Sequence, residues 1–195
     1  MTRDPRAVQD FATVLAKRSA EVPNRPWIVT DQRSYSYRTM DERSSRLAKG
    51  FDGLGIGAND TVLVMLPDTV DFVLIWCALS KLGAIEVPVN VHYRGNLFTY
   101  LVNDSMAQTM VVDASFLERL ESASTDLIYM KRLVVYGGSD TRMPRTLAQR
   151  YEVLSYEYLE ADTPWSGSGP RYHDLMAVMY TSGTTGPSKG AMISH

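Results

Sequence analysis

The chain has 195 residues, of which 45% are hydrophobic and 22% charged, with a net charge of -2. This is the composition of an ordinary globular domain, and the absence of a basic field argues against nucleic acid and acidic membrane surfaces as partners. A single cysteine, Cys77, excludes an intrachain disulfide, and the start "MTRDPRAVQD" lacks a secretory signal, so we expect an intracellular, cytoplasmic protein. The longest apolar stretch, residues 72–79, is far below the roughly 20 residues of a transmembrane helix.

The first 57 residues of the chain are predicted to form two helices separated by two strands. Residues 6–20 carry apolar side chains at helical spacing, and "EVPN" ends that helix. The stretches "PWIVTD" and "RSYSY" predict two strands around a polar turn at residues 31–33. Thr39, with Glu42 three positions on, predicts a capping box that opens a helix ending in "DGLGIG".

From residue 61 the chain alternates between strands and helices. Apolar runs predict strands at 61–66, 84–89, 109–113 and 132–137, and helical patterns lie between them at 70–82, 96–104 and 115–123. Asp68 or Thr69 is expected to cap the helix at 70–82, and Gly83 to end it. This rhythm predicts an α/β fold with a mostly parallel sheet covered by helices on both faces.

The last 50 residues contain one further helical pattern, one linker-like segment and two more strands. Residues 146–160, "TLAQRYEVLSYEYLE", predict a helix, and the segment 163–170, "TPWSGSGP", is linker-like. The apolar run at 175–180 predicts a strand that leads into "YTSGTTGPSKG" (residues 180–190). Because "AMIS" follows with strand character, we expect a strand–loop–strand arrangement.

The stretch "YTSGTTGPSKG" combines the residue types that polyphosphate binding needs. Glycines let backbone N–H groups approach an anion, hydroxyls add donors, and a lysine adds a compact cation. These residues are Gly183, Gly186 and Gly190, then Ser182, Thr184 and Thr185, then Lys189. The spacing differs from that of the common P-loop, because Ser188 stands at the second glycine position and Gly190 follows the lysine. The alternative, a flexible linker, fits "WSGSG" at 165–169 better than it fits this loop.

This loop resembles the signature phosphate loop of the adenylate-forming superfamily: acyl-CoA and aryl-CoA synthetases, adenylation domains of peptide synthetases, and firefly-type luciferases. The one departure is Ser188, where proline is most usual. The stretches "YSYRTMDERSSRLAKGF" (35–51) and "ALSKLGAIEVPVN" (78–90) also resemble family segments, in the right order. The form "GAIEVPVN", with Asn90, favours acyl-CoA synthetases over peptide-synthetase adenylation domains.

The resemblance implies a two-step ligase. A carboxylate attacks the α-phosphate of ATP to give an acyl-adenylate and pyrophosphate, and coenzyme A then displaces AMP. The residues implied to hold the β- and γ-phosphates, together with Mg²⁺, are Thr181, Ser182, Gly183, Thr184, Thr185, Gly186, Lys189 and Gly190. Lys189 would stabilise phosphate charge, and it is the one catalytic candidate in this chain. The loop is expected to tighten over ATP and to loosen for pyrophosphate release.

In the family, the Mg²⁺ carboxylate, the adenosine site and a C-terminal lysine lie downstream of this loop. Residues 1–195 are therefore expected to be the N-terminal part of the large AMP-binding domain, inactive alone. Two alternatives remain: an amino-acid adenylation domain that loads a carrier protein, and a non-catalytic nucleotide-binding fragment. The sequence does not define the carboxylic acid, although residues 76–90 slightly resemble small-acid or crotonobetaine/carnitine-type CoA ligases.

Three other features have simpler interpretations. Cys77 lies in an apolar helical stretch and is expected to be a core thiol. His92, His173 and His195 lack the spacing of metal ligands, so no metal site is predicted. The segment "HYRGN" (92–96) is expected to be a turn and a helix start, with the lining of a substrate region as the alternative.

Overall fold

The computed structural model describes residues 10–138, 142–181 and 188–195. The first described helix, α1 (Phe11–Glu21), begins after Asp10, whose side chain accepts a hydrogen bond from the Thr13 backbone N–H at 2.8 Å. Strands β1 (Pro26–Val29) and β2 (Ser34–Ser36) then form the predicted antiparallel pair.

Helix α2 (Tyr37–Gly53) starts three residues earlier than a cap at Thr39 predicts. The capping residue is Ser36, and the prediction of a capping box at Thr39 is wrong. Ser36 has the extended backbone of an N-cap, and its Oγ accepts the Thr39 N–H at 3.2 Å. Thr39 is thus already inside the first turn, because the earlier of the two hydroxyl residues occupies the cap.

The remaining elements are β3 (Thr61–Met65), α3 (Val70–Leu82), β4 (Ile85–Pro88), α4 (Gly95–Asp104), β5 (Thr109–Asp113), α5 (Leu117–Ala123), β6 (Arg132–Tyr136), α6 (Arg145–Arg150), β7 (Glu152–Ser155), β8 (Leu175–Thr181) and β9 (Lys189–Ser194). From β3 to β6 the elements follow the predicted alternation, and α6, β7, β8 and β9 come after them. Within the described ranges, seven strands form one sheet in the order β7-β6-β5-β3-β4-β8-β9. The pairs are parallel except for β8 and β9, which are antiparallel. The predicted α/β fold is confirmed.

Each face of the sheet carries its own hydrophobic core. Leu63 and Met65 of β3 belong to a first cluster with side chains from α4, α5 and α6. Val62 and Val64 of the same strand belong to a second cluster with side chains from α2 and α3. Because successive strand residues point to opposite faces, this alternation places helices on both faces.

The prediction of one helix over 146–160 is wrong. Helix α6 ends at Arg150, and Tyr151 has an extended backbone that leads into β7. Strand β7 pairs in parallel with β6, with Val153 opposite Leu133 and Leu154 opposite Val134. A 3₁₀ turn at Tyr156–Tyr158 follows. Pairing at the edge of the sheet therefore prevails over the helical spacing of the apolar residues.

Helix α3 has the predicted ends. The Thr69 Oγ1 accepts the Phe72 N–H at 3.2 Å, and Gly83 ends the helix with a φ of +69°. Cys77 on this helix is fully buried, and burial raises the pKa of its thiol to about 12, as expected of a core residue. Across the described part of the chain, no helix is both long and apolar enough to cross a membrane.

Candidate active site: a hairpin and a crevice

The predicted phosphate loop joins the two antiparallel strands at one end of the sheet. Thr181 at the end of β8 lies opposite Lys189 at the start of β9, and both residues are exposed. Directly opposed residues share a face of the sheet, so both side chains flank the loop on the same side. The predicted strand–loop–strand arrangement is confirmed at its two strands. The predicted phosphate ligands Ser182, Gly183, Thr184, Thr185 and Gly186 lie outside the described residues.

Ser188 ties the two ends of the loop together. Its side chain is buried, and its Oγ donates a hydrogen bond to the Thr181 carbonyl at 2.5 Å. This bond forms directly beside the Thr181–Lys189 pair. The position where the family most often has proline thus holds a hydroxyl that anchors the loop to its own stem.

Packing against Val178 favours glycine at position 190. A Cβ at this position would lie 2.6 Å from the Val178 Cγ1 and 3.4 Å from the Tyr180 ring. A contact of 2.6 Å is impossible without a shift of the neighbouring side chain. The sequence predicts that Gly190 lets the backbone approach a phosphate, and the packing against Val178 is a second reason for a glycine there.

Tyr180, the residue before the loop stem, contacts a distant helix. Its hydroxyl donates to Oδ2 of Asp104, the last residue of α4, at 2.6 Å. Burial raises the pKa of Tyr180, and the hydrogen bond and charge of Asp104 raise it further. No local sequence pattern identifies Asp104, because 76 residues separate it from Tyr180.

A crevice of about 570 Å³ opens beside this hairpin, at the carboxyl ends of β3, β4 and β8. The chain leaves β3 toward α3 on one face of the sheet and leaves β4 toward α4 on the other. Such a switch point is where open α/β sheets bind ligands. The lining residues come from all three strand ends: Leu66, Pro67, Asp68, Phe72, Pro88, Val89, Asn90, Val91, His92, Tyr93, Met179 and Tyr180.

The segment 92–96 fits both interpretations that the sequence allowed. It contains a turn and the start of α4 at Gly95, with Arg94 as the N-cap. His92 and Tyr93 also line the crevice. The Asn90 Oδ1 accepts the His92 N–H at 2.9 Å, which fixes the turn. Asn90 therefore shapes one wall of the crevice.

Asp71 fixes the other wall, at the start of α3. Its carboxylate accepts hydrogen bonds from the hydroxyls of Tyr136 and Tyr156, each at 3.1 Å, and pairs with Arg43 at 3.4 Å. Burial raises the pKa of Tyr136 to about 12, and the nearby Asp71 carboxylate adds to the shift. These bonds join α2, α3 and the end of β6 next to Phe72 in the crevice.

A family model described as "AMP-binding enzyme" matches residues 15–195. The chain belongs to this family. The AMP-binding enzymes that it resembles include human long-chain fatty acid transport protein 6, with 30% identity over 197 residues, covering 95% of this chain and 30% of the relative. The 4-hydroxybenzoate--CoA/benzoate--CoA ligase of Rhodopseudomonas palustris is 27% identical over 195 residues, covering 99% of this chain and 34% of the ligase. Tyrocidine synthase 2 of Brevibacillus parabrevis is 26% identical over 193 residues, covering 99% of this chain and 5% of the synthase.

Solved structures of AMP-binding enzymes share the fold. An anthranilate CoA ligase in complex with anthranoyl-AMP superimposes with a TM-score of 0.79 at 25% identity, covering 94% of this chain and 34% of the ligase. The chain spans about a third of the length of the first two relatives. Among the described residues, no three His, Cys, Asp or Glu side chains form a group that could hold a metal ion.

Proposed function

We propose that this chain carries the ATP-phosphate loop of an acid–CoA ligase, which converts a carboxylic acid to an acyl-adenylate and then to an acyl-CoA thioester. The observation that supports this most strongly is the family loop "YTSGTTGPSKG" on the β8–β9 hairpin, next to a crevice at the carboxyl edge of the sheet. The benzoate--CoA ligase relative and the anthranilate CoA ligase neighbour support coenzyme A as the acceptor.

In this proposal the loop stabilises the charge that builds on pyrophosphate as it leaves. The predicted phosphate-binding residues are Thr181, Ser182, Gly183, Thr184, Thr185, Gly186, Lys189 and Gly190. Donors that are fixed before the reaction stabilise developing charge most effectively. Lys189 is the cation among them, and its exposed position opposite Thr181 leaves its ammonium group accessible to a phosphate.

Mg²⁺ enters this proposal with ATP. The described residues offer no cluster of ligands for the ion, so we assign it no protein ligand in this chain. We further propose that residues 1–195 are the N-terminal part of the large domain, with 163–170 as a linker-like segment. Because the described residues include no assigned adenosine site, we expect the isolated chain to make no thioester from ATP, CoA and an acid. Thioester formation by the purified 195-residue chain would refute that expectation.

The proposal is tested by ATP–pyrophosphate exchange in the longest natural form of the protein. A panel of fatty, aryl and small carboxylic acids is compared with a panel of amino acids, each at equal concentration. Exchange driven by one class of carboxylic acid, followed by thioester formation with CoA, supports the acid–CoA ligase. If no acid drives exchange, the proposed adenylation activity is refuted, and a non-catalytic nucleotide-binding protein is favoured.

The second candidate is an amino-acid adenylation domain that loads a carrier protein. The similarity to tyrocidine synthase 2 over 193 residues favours it. Exchange driven by amino acids alone, without thioester formation on free CoA, would identify this function. The form "GAIEVPVN" at 83–90 is our reason for ranking the CoA ligase first.

A further inference from the structure

The contact between Asp104 and Tyr180 joins the far end of a helix to the stem of the phosphate loop. The Tyr180 hydroxyl donates to the Asp104 carboxylate at 2.6 Å, the distance typical of a hydroxyl with a charged acceptor. Tyr180 also lines the crevice. Asp104 ends α4, the helix that begins just after the crevice residues His92 and Tyr93.

Asp104 occupies a position that is locally unfavourable for a carboxylate. It is the last residue of α4, where the helix dipole places partial negative charge, and the last turn contains no basic residue. Within the described ranges, no salt bridge links Asp104 to a basic side chain. Among the described side chains, the Tyr180 hydroxyl is the group that hydrogen-bonds to this exposed carboxylate, which favours a role beyond the stability of the helix.

The hydroxyl-bearing end of the Tyr180 ring contacts β9, through Cζ and Cε2. Its ring atoms lie 3.4 and 3.6 Å from the point where a Gly190 Cβ would be, and Tyr180 and Gly190 are directly paired across the hairpin. The ring also packs against the first core cluster. Asp104 therefore holds the hydroxyl of a ring whose same end packs over Gly190, the residue next to Lys189.

We propose that Asp104 is a positioning residue for Lys189: by holding the Tyr180 hydroxyl, it fixes the strand from which Lys189 reaches the ATP phosphates. This inference rests on the proposed role of Lys189 in adenylation. For this role, the backbone that carries Lys189 must be held in a fixed position. The alternative is that the Asp104–Tyr180 hydrogen bond stabilises the fold and has no specific effect on the reaction with ATP.

The test compares Tyr180→Phe, Asp104→Ala and Asp104→Asn in the longest natural form of the protein. Tyr180→Phe keeps the ring on Gly190 and removes only the hydroxyl. We expect kcat/KM for ATP in pyrophosphate exchange to fall roughly tenfold in Tyr180→Phe and Asp104→Ala, as the loss of a hydrogen bond to a charged group allows. Asp104→Asn, which keeps an acceptor, should lose less. Thioester formation from preformed acyl-adenylate should change by less than about twofold.

Two controls separate positioning from stability. Tyr158→Phe removes a hydroxyl from a side chain that is 89% exposed and has no side-chain hydrogen bond among the described residues, and it should leave exchange unchanged. In a Lys189→Ala background, Tyr180→Phe should add less than about twofold, because both residues act on one interaction. Thermal unfolding of each variant is measured in parallel.

The outcomes are distinguishable. If the wild type shows no exchange with any acid, the proposed function fails. If the wild type is active and Tyr180→Phe and Asp104→Ala match it, the positioning role of Asp104 is refuted and the proposed function stands. Equal losses in both half-reactions, or a full tenfold loss in the Lys189→Ala background, would also refute it, since these results indicate a general structural effect.

Discussion

A methyl group added at Gly50 is predicted to separate α2 from the segment that follows β7. A Cβ there would lie 1.7 Å from the Leu159 carbonyl oxygen, 2.7 Å from its carbon and 3.0 Å from its Cα. These are backbone atoms, so no side-chain rotation relieves the clash. Leu159 is 4% exposed and belongs to the second core cluster, and nearby the Trp165 N–H donates to the Ser45 carbonyl at 2.9 Å.

The expected change in the free energy of unfolding combines two destabilising contributions with one stabilising contribution. Overpacking against backbone costs about 1–3 kcal/mol, and partial exposure of Leu159 adds about 1–2 kcal/mol. Replacing glycine by alanine inside a helix returns about 1 kcal/mol. We therefore expect Gly50→Ala to lower the free energy of unfolding by about 1–4 kcal/mol.

The matched control is Gly53→Ala in the same helix. Nothing lies within 4 Å of a Cβ at Gly53, so only the helix-propensity gain remains, up to about 1 kcal/mol. Urea denaturation followed by circular dichroism measures both variants against the wild type. The reasoning is refuted if Gly50→Ala is as stable as Gly53→Ala, because the contact with Leu159 would then impose no constraint.

Two further predictions concern the buried ionisable side chains Lys81 and Glu86. Lys81→Ala should destabilise the fold by roughly 2–4 kcal/mol, because the buried Lys81 ammonium lies 2.6 Å from the Asp41 carboxylate. The control Lys49→Ala breaks the exposed pair with Asp52 and should cost less than about 1 kcal/mol in the same urea assay. Burial raises the pKa of Glu86 from 4.5 to about 8. Between these values only the folded state holds the proton, so the stability of the wild type relative to Glu86→Gln should fall as pH rises, by at most about 1.4 kcal/mol per unit. A constant difference across pH 5–8 would contradict the buried, protonated carboxyl.

The elements that the sequence predicted well are those with strong local signals. The run at 61–66 is apolar at nearly every position because β3 is buried on both faces. Thr69 and Gly83 mark the ends of α3 because their hydroxyl and left-handed backbone act within one turn. The family loop was recognisable for a similar reason, since its signature lies within eleven consecutive residues.

The features that the sequence could not predict depend on long-range pairing. Residues 147, 151, 154 and 158 have helical spacing, but pairing with β6 makes β7 a strand. The crevice exists because β3 and β4 send their connections to opposite faces, which is a property of topology. The contact of Tyr180 with Asp104 likewise arises only when α4 packs on the sheet.

The central claim is that Lys189 acts on the phosphates of ATP, and the half-reactions of Lys189→Ala test it most directly. In the longest natural form of the protein, acyl-adenylate formation and thioester formation from preformed acyl-adenylate are measured separately, with Lys17→Ala as the exposed-lysine control. We predict that Lys189→Ala slows adenylation by about 10²-fold or more and slows thioester formation far less. Equal slowing of both half-reactions, or no slowing of adenylation, would contradict the account.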